Sequence, residues 1–376
     1  MAQQTVLISI NAAWNILNFR LGLLRALQES GYRVVALAPP DEYGPRLAEH
    51  GIEYHPIEMD KQGTSPLRDF QLLLRYARAM RRLRPDILLA YTAKPNVYGS
   101  LAAHALGIKV INNVSGLGTA FIREGLLTRI VSGLYRLAFR RSATVFFQNG
   151  EDRDLFVERG LVGEAQARIL PGSGIDITRF RPEGAEAPAP GRPFTFLLIA
   201  RLLWDKGVGE YVEAARIVRR ELPNARFRLL GFLDVPNRTA VARKDVEGWV
   251  AEGLIDYLGA SDDVRPHIAA SDCVVLPSYR EGLPRTLLEA AAMAKPLITT
   301  DVPGCRHVVA DGVNGFLCEV RAPRSLAGAM MRMARLPQRE RAKMGAAGRA
   351  RIEAEYDEKL VIARYLEAIR DALDPA

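Results

Sequence analysis

Short apolar segments rich in β-branched residues alternate with helical segments along most of the chain. The first is VLISI at residues 6–10, which is followed by the loop NAAWN and by a predicted helix from about Asn18 to Ser30. RVVALAP and EYHPIEM continue the pattern as predicted strands, and the short helix EYGPRLAEHG separates them. Strands that alternate with helices pair in parallel and carry their helices on both faces. The pattern therefore predicts an α/β fold with right-handed crossovers and with ligands at the carboxyl ends of the strands.

Two such series are present, which predicts two doubly wound domains. The first continues through DILLAYT, KVINNV and TVFFQ, and the second runs from FTFLLIA to PLITT, after which only helices are predicted. Between them, EGAEAPAPGRP is dense in Pro, Ala and Gly and lacks periodicity, as interdomain linkers do. The predicted boundaries are 1–180 for the first domain, 181–193 for the linker, 194–355 for the second domain and 356–376 for a final helical segment. That segment carries an apolar stripe between about Lys359 and Leu373, which requires a packing partner.

The composition is that of a soluble globular protein. The 376 residues suffice for two domains, and 48% of them are apolar and 25% are charged. No run approaches the ~18 apolar residues of a membrane-spanning helix, and the start MAQQTVLISI lacks the charged region of a signal peptide. We therefore expect a cytoplasmic protein. The three cysteines lack the CxxC spacing of metal and redox sites, so we expect reduced, structural thiols.

Positive charge is concentrated in the first half of the chain. The net charge is +8, and the stretch from Arg68 to Arg141 contains 13 Lys or Arg and 3 Asp or Glu. Within it, the segment 121–141 mixes apolar residues with five arginines, which is typical of a basic amphipathic helix on an anionic membrane surface. The alternative is that the apolar residues belong to the core of the domain and the arginines to its solvent-exposed face. The arginines upstream of this segment favour the interpretation as a membrane-binding helix. No nucleic-acid partner is expected, because no RNP, helix-turn-helix or finger motif is present.

The segment Cys273–Leu317 carries the most specific pattern. CVVLPS predicts a buried parallel strand, YREGLP a turn and RTLLEAAAM a helix. Gly282 supplies backbone freedom to the turn, and Pro284 suits the first helical turn. A helix that begins just past the carboxyl end of a parallel strand presents free amides and a positive dipole end. The turn that includes Gly282, Leu283 and Pro284 is therefore predicted to be an anion-binding pocket.

Two carboxylates flank this turn. Glu281 precedes it and Glu289 follows eight residues later, about two helical turns along. Because acids beside an anion site would repel a phosphate, their predicted partners are hydroxyl groups, a sugar ring for Glu281 and a ribose for Glu289. The alternative is a solvated surface Glu and an ordinary helix-face Glu. Taken together, the anion pocket and the two acids indicate a site for a sugar nucleotide.

The E-x7-E spacing in EGLPRTLLE, followed by DVPGCRHVVADGVNGFL, resembles the nucleotide-binding half of glycosyltransferase family 4. The resemblance implies the GT-B architecture, in which two Rossmann-like doubly wound domains face an interdomain cleft and the final helix crosses back to the first domain. It also implies transfer with retention at the anomeric carbon, without a metal ion or another cofactor. The sequence agrees in having no D-x-D motif in a predicted loop and no cluster of His or Asp suited to a divalent ion.

ARLLWDKGV places Arg201 and Lys206 on the loop after the first strand of the second domain, and this loop resembles the family's diphosphate clamp. Two fixed cations there would neutralise a diphosphate leaving group and stabilise the charge that builds up during transfer. The resemblance therefore implies catalytic roles for Arg201, Lys206 and Glu281. It implies nucleotide-sugar binding by the same three residues together with Gly282, Leu283, Pro284 and Glu289.

The first domain is expected to bind the acceptor. Many family members have a histidine before a Gly-Leu-Gly near the donor sugar, where this chain has Ser115, which hydrogen-bonds but does not titrate near neutrality. Asn11 and Asn15 in NAAWN are candidates for contacting the donor phosphate or sugar. Lys94, between a strand and a helix in YTAKPN, suits an acceptor phosphate or is an ordinary surface lysine.

Within the family, the overall pattern is most similar to enzymes that extend undecaprenyl-diphosphate-linked sugars. This implies a peripheral protein on the inner face of the plasma membrane. It would transfer an N-acetylhexosamine from a UDP-sugar to a lipid-diphosphate-linked acceptor in surface polysaccharide or glycan biosynthesis. Two enzyme alternatives stay open: a transferase that uses another nucleotide sugar, such as GDP-mannose, on a soluble acceptor, and a GT-B sugar-nucleotide epimerase.

Overall fold

A computed structural model of the protein describes residues 3–60, 65–116, 126–182, 191–235 and 237–374. The chain divides into two compact units, the first formed by Met1–Gly174 with Glu358–Ala376 and the second by Ile175–Asp357. Residues 183–190 of the predicted linker and residues 121–125 of the basic segment lie outside the described residues.

Each unit is built around a parallel sheet. The strands of the first unit are β1 Thr5–Ser9, β2 Arg33–Ala38, β3 Glu53–Pro56, β4 Ile87–Tyr91, β5 Lys109–Val114, β6 Thr144–Phe147 and β7 Ala167–Ile169. Those of the second unit are β8 Thr195–Ile199, β9 Arg226–Leu230, β10 Asp256–Tyr257, β11 Cys273–Leu276, β12 Leu297–Thr300 and β13 Gly315–Cys318. The strand orders are β3-β2-β1-β4-β5-β6-β7 and β10-β9-β8-β11-β12-β13. Each sheet therefore has one point where the winding reverses, between β1 and β4 in the first unit and between β8 and β11 in the second.

Helices connect the strands. They are α1 Ala13–Phe19, α2 Leu21–Glu29, α3 Pro66–Leu83, α4 Ser100–Ala105, α5 Leu126–Phe139, α6 Gly150–Glu158, α7 Val208–Glu221, α8 Arg243–Ala251, α9 Arg265–Ala269, α10 Arg285–Ala292, α11 Pro323–Arg335, α12 Gln338–Glu355 and α13 Glu358–Leu373. Among the described helices, none combines the length and the apolar character that crossing a bilayer requires.

Apolar side chains cover both faces of the first sheet. On one face, Ile8 and Leu89 lie in a buried cluster with residues of α1, α2 and α13. On the other face, Leu7 and Leu88 lie in a second cluster with residues of α3 and α4. Because neighbouring residues of a strand point to opposite faces, a strand between two helical layers is apolar at every position. This explains why VLISI is apolar except at Ser9, which is buried and donates a hydrogen bond to the carbonyl oxygen of Leu37 at 2.9 Å.

Helix α13 belongs to the first unit. Val361, Tyr365 and Ile369 are buried in the same cluster as Ile8. The ring of Tyr365 lies edge-on to that of Phe146, with 5.1 Å between the ring centres. The apolar stripe near the carboxyl end of the chain thus packs against the first sheet.

The first helix begins earlier than predicted. NAAWN was expected to be a loop, yet α1 starts at Ala13, so Asn15 lies on a helix. The carboxylate of Asp41 accepts hydrogen bonds from the amides of Ala13 at 2.8 Å and of Trp14 at 3.4 Å. A cap supplied by a residue 28 positions away leaves no local signal in the sequence.

Two strands occur where none was predicted. β7 pairs with β6, and β13 extends the second sheet beyond β12, in a region expected to be helical. Both strands are short. β13 begins at Gly315, where a Cβ atom would lie only 2.1 Å from the carbonyl oxygen of Leu297. A glycine that allows such close approach weakens the sequence pattern of a strand.

Candidate functional site

The switch point of the second sheet brings the two most specific sequence motifs together. β8 and β11 are adjacent and parallel, so the loops that follow them leave the same edge of the sheet. Arg201 and Lys206 lie on the loop after β8, and Glu281 lies on the loop after β11. Loops at such a reversal diverge to opposite faces and leave a crevice in which α/β proteins bind ligands.

The two loops are held against each other by backbone contacts. The amide of Tyr279 donates to the carbonyl oxygen of Asp205 at 2.9 Å, and the hydroxyl of Ser278 donates to the same oxygen at 3.2 Å. Gly207 has φ +74°, and a Cβ atom there would lie 2.0 Å from the carbonyl oxygen of Pro277. The close approach of the loops therefore depends on glycine at position 207.

Lys206 and Glu281 form an ion pair across this junction. Lys206 Nζ lies 2.5 Å from Glu281 Oε1, and the two side chains are 19% and 14% exposed. Lys206 ends a short 3₁₀ turn, Trp204–Lys206, that precedes α7. The pair places a cation suited to phosphate beside a carboxylate suited to sugar hydroxyls, and both keep access to solvent.

Arg201 stands apart from that pair. Its side chain is exposed, and within the described residues it makes no hydrogen bond or ion pair. Its backbone carbonyl accepts from the amide of Leu203 at 2.8 Å, which fixes the turn before Lys206. Of the three residues assigned to catalysis, the structure thus joins Lys206 and Glu281 and leaves the guanidinium of Arg201 open.

The turn between Glu281 and α10 is supported from the next loop. α10 begins at Arg285, and Pro284 is its N-cap residue instead of a residue of the first turn. Gly282 is buried and Leu283 is half-buried. The amide of Glu281 donates to the carbonyl oxygen of Pro303 at 3.3 Å, and a Cβ atom on Gly304 would lie 2.4 Å from the carbonyl oxygen of Glu281.

The support by Pro303 and Gly304 was not inferred from the sequence. The available signal was the Pro-Gly dipeptide shortly after the strand PLITT, which marks a turn at the same sheet edge.

Glu289 lies deeper in the site. It is 8% exposed, and its Oε1 accepts a hydrogen bond from Nε of Arg285 at 2.7 Å. Burial raises the pKa of the Glu289 carboxyl, and the guanidinium of Arg285 opposes that shift without reversing it. Arg179 also acts on this carboxyl electrostatically. The sequence assigned Glu289 but neither arginine, although Arg285 was detectable from its i, i+4 spacing.

Glu289→Gln is expected to increase stability more at pH 7 than at pH 4.5. The pKa of Glu289 is higher in the folded protein than in the unfolded chain, so protonation of this carboxyl stabilises the fold at pH values below the unfolded pKa. This contribution is lost as the pH rises toward the folded pKa. Glutamine removes the effect, so the difference in melting temperature between variant and wild type should rise across that interval. Melting curves at several pH values measure it, with the exposed Glu247→Gln as a control whose difference stays flat. A difference that grows on acidification would show that the pKa is lowered instead.

The candidates in the first unit are engaged in local contacts. Nδ2 of Asn15 donates to Oδ1 of Asn11 at 3.2 Å. Lys94 forms an ion pair with Asp69, with 2.6 Å between Nζ and Oδ1, so its charge is already compensated. Ser115 donates to Oδ1 of Asn113 at 2.9 Å. Each of these contacts fixes a side chain near the carboxyl ends of β1, β4 or β5.

The cysteines are structural in character. Cys273, Cys305 and Cys318 are buried free thiols. Burial raises the pKa of Cys305 to about 12, and the charge of Glu281 acts in the same direction. Such a thiol is protonated at neutral pH and is a poor nucleophile. In the described ranges, no three side chains of His, Cys, Asp or Glu come together as metal ligands would.

Two family profiles match the chain. "Glycosyl transferase 4-like domain" matches residues 18–172, and "Glycosyl transferases group 1" matches residues 193–335. Together these ranges cover well over half of the sequence.

Curated relatives agree with these profiles. The chain is 27% identical over 373 residues, 95% of its length and 96% of the relative's, to N,N'-diacetylbacillosaminyl-diphospho-undecaprenol alpha-1,3-N-acetylgalactosaminyltransferase of Campylobacter jejuni. It is 23% identical over 279 residues, 72% of its length and 71% of the relative's, to UDP-Gal:alpha-D-GlcNAc-diphosphoundecaprenol alpha-1,3-galactosyltransferase of Escherichia coli.

Solved structures share the fold. Sucrose-phosphate synthase of Thermosynechococcus elongatus has a TM-score of 0.81 at 18% identity over 100% of both chains. HepE of Anabaena in complex with UDP-glucose has a TM-score of 0.79 at 18% identity over 98% of this chain and 100% of that chain. The predicted fold class, two Rossmann-like α/β units of the GT-B type, is confirmed. The chain belongs to the glycosyltransferases that join a glycosyl transferase 4-like domain to a group 1 domain.

Proposed function

We propose that this glycosyltransferase moves an N-acetylhexosamine from a UDP-sugar to a sugar linked to a lipid diphosphate, with retention at the anomeric carbon and without a metal ion. The observation that carries the proposal is the Lys206–Glu281 ion pair at the switch point of the second sheet. The relative matched over 95% of the chain supports the acceptor class, because its name specifies a diphospho-undecaprenol substrate and an N-acetylgalactosaminyl group. The HepE complex with UDP-glucose supports a uridine diphosphate donor.

In this mechanism, a bond forms between an acceptor hydroxyl oxygen and the anomeric carbon while the bond from that carbon to the diphosphate breaks. The proton of the hydroxyl passes to an oxygen of the leaving phosphate, so no protein base is needed. Lys206 and Arg201 stabilise the negative charge that builds up on the leaving group. Glu281 orients the donor sugar through its hydroxyl groups, and Glu289 binds the ribose.

The second unit supplies these contacts from fixed positions. Lys206 exchanges part of its interaction with Glu281 for the diphosphate when the donor binds. The carboxylate of Glu281 is then available to sugar hydroxyls. The short loop contacts around Asp205 and Gly207 keep both side chains in place, and such preorganisation is what makes fixed charges effective in catalysis.

Binding at an anionic membrane surface is part of the proposal, and α3 offers a suitable face. Leu67 and Phe70, 68% and 56% exposed, lie on the same side of this helix as the exposed Leu74. Arg78 and Arg81 continue that side one and two turns farther along and are also exposed. An apolar half that enters the headgroup region and a basic half that contacts anionic headgroups suit a lipid surface. The opposite side of α3 is buried in the first unit.

Replacing Arg78 and Arg81 together by Ala is expected to weaken binding to anionic vesicles by roughly tenfold or more, since each arginine near such a surface contributes ~1 kcal/mol. Co-sedimentation with vesicles of phosphatidylglycerol and phosphatidylcholine measures the partition coefficient. The matched control replaces the exposed Arg324 and Arg339 of the second unit by Ala, which changes the net charge equally. Equal losses in both double variants would mean that total charge, not the α3 face, governs binding.

The enzymatic proposal is tested with the purified full chain. Melting temperatures with UDP, GDP, ADP and dTDP, then with UDP-N-acetylgalactosamine and UDP-N-acetylglucosamine, identify the donor, because ligands that bind the native state raise its melting temperature. Transfer is then assayed on undecaprenyl-diphosphate-linked sugars with and without EDTA, and the anomeric configuration of the product is determined. UDP stabilisation with EDTA-insensitive, retaining transfer is expected. Turnover on a soluble acceptor alone, or epimerisation without an acceptor, would contradict the proposal.

A further inference from the structure

Arg20 is a buried cation at the junction of α1 and α2. It is 6% exposed. Its Nε is enclosed and has no hydrogen-bond partner, and no carboxylate pairs with its guanidinium anywhere in the described part of the chain. Burying a guanidinium without an acid or hydrogen-bond acceptor is strongly unfavourable, and a residue such as Met would fill the same volume without that cost. Packing therefore does not account for arginine at this position.

An aromatic pair lies beside Arg20. Its guanidinium carbon lies 4.6 Å from the centre of the Tyr91 ring, and the Tyr91 and Tyr365 ring centres are 6.2 Å apart. The hydroxyl of Tyr365 accepts a hydrogen bond from Nδ2 of Asn113 at 3.0 Å, and Oδ1 of Asn113 accepts from Ser115 at 2.9 Å. A polar network thus leads from the tyrosine pair beside Arg20 to Ser115.

This cluster lies at the switch point of the first sheet. Tyr91 is the last residue of β4, it is in register with Asn113 of β5, and β4 is the strand next to β1 at which the winding reverses. The carboxyl edge at such a reversal is where doubly wound sheets bind ligands. The amino end of α1 is not the anion-binding group at this edge, because the carboxylate of Asp41 already caps it. Lys94 also follows β4 but is paired with Asp69.

We propose that Arg20 binds an oxyanion of the acceptor, namely its diphosphate. The inference rests on the proposed function for the identity of the acceptor. A guanidinium that packs on an aromatic ring is restricted in its movement, and its planar set of N–H groups suits bidentate contact with phosphate oxygens. Ser115, at the other end of the network, donates its proton to Asn113 and then accepts a hydrogen bond from a hydroxyl of the acceptor. Arg20 acts as a binding residue for the acceptor in the first unit, separate from the cations of the second unit.

The test is calorimetric titration of the full chain with pyrophosphate at constant ionic strength, in the presence of saturating UDP so that the donor site is filled. Arg20→Met is expected to weaken pyrophosphate binding by about tenfold to a hundredfold, because charge-assisted hydrogen bonds are lost. Arg20→Lys keeps the positive charge but loses the bidentate geometry of the guanidinium, so its pyrophosphate affinity should fall by a smaller factor. This variant provides the test if the Met variant does not fold. Arg25→Met, an exposed position on α2, is the matched control and should bind as the wild type does.

Wild-type pyrophosphate affinity in both Arg20 variants would overturn the inference. An Arg20→Met protein that loses affinity for UDP but not for pyrophosphate would also overturn it, because Arg20 would then bind the diphosphate of the donor and not that of the acceptor. If UDP does not bind the wild-type chain, the donor part of the proposed function fails. The Arg20 comparison is then repeated in a Lys206→Ala background, where the same loss of pyrophosphate affinity still supports the site.

Discussion

Lys206→Ala is expected to reduce the rate of sugar transfer by about a hundredfold to a thousandfold, the usual cost of removing a preorganised charge that stabilises a leaving group. The physical reason is that Lys206 lies at the mouth of the β8–β11 crevice and is held there by Glu281 at 2.5 Å. Initial rates at saturating donor and acceptor measure the loss. The circular dichroism spectrum and melting curve are expected to stay close to those of the wild type, because the side chain is not part of the core.

A double-mutant cycle makes this prediction sharper. Glu281→Ala alone should also remove most transfer, and the double variant should be no slower than about the slower single variant, because the two side chains act as one unit. Lys244→Ala, at an exposed position on α8, is the matched control and should transfer at the wild-type rate. A Lys206→Ala enzyme with wild-type turnover would remove Lys206 from the catalytic assignment.

The sequence was sufficient to predict which strand, turn and helix carry the candidate donor-site residues, because the determinants of these elements are local. The seven residues between Glu281 and Glu289 place one acid before a helix and the other on it, and the strand, turn and helix that contain them were all identified. The same holds for the loop from Arg201 to Lys206. Residues that follow neighbouring strands of a parallel sheet meet at one edge, so the contact between Lys206 and Glu281 follows once the strand order is known.

The features that the sequence did not predict depend on contacts between residues that are distant in the chain. The start of α1 at Ala13 is set by Asp41, and the strand β13 exists because Gly315 lets two strands approach closely. Arg20 was not singled out, because a single arginine within a predicted amphipathic helix looks like a solvated residue. Arg20 is buried and packs on the ring of Tyr91, a residue distant in the chain, which the sequence alone does not reveal.

The two units repeat one physical arrangement with different chemistry. Each reverses its winding once, and each has a cation near that reversal, Arg20 in the first unit and Lys206 in the second. Lys206 is paired with a carboxylate and stays partly exposed, which suits a group that exchanges partners during turnover. Arg20 is buried and packs on the ring of Tyr91, which suits a group that holds one anion throughout the reaction. This difference in environment underlies the separate assignments to donor and acceptor.

Gly304→Ala is expected to reduce turnover by about a hundredfold, because displacement of a catalytic group by roughly 1 Å has an effect of that size. Gly304 has φ +83°, and a Cβ atom there would lie 2.4 Å from the carbonyl oxygen of Glu281 and 2.7 Å from that of Gly282. Both atoms belong to the backbone, so no side chain can rotate away from the clash. The loop that carries Glu281 must move, and the ion pair with Lys206 must lengthen with it.

Gly312→Ala separates this effect from simple backbone strain. Gly312 has φ +74°, nearly the same conformation, but no atom lies within 4 Å of the Cβ that alanine would add. Gly312→Ala should lose about 1–2 kcal/mol of stability, the cost of a left-handed conformation for an L-residue. Gly304→Ala should lose more because of its clash, and it alone should lose turnover. Melting temperatures and initial rates of the two variants provide the comparison. Equal rates in the two proteins would mean that the loop from Glu281 to Pro284 tolerates displacement, and the position of Glu281 would then not limit catalysis.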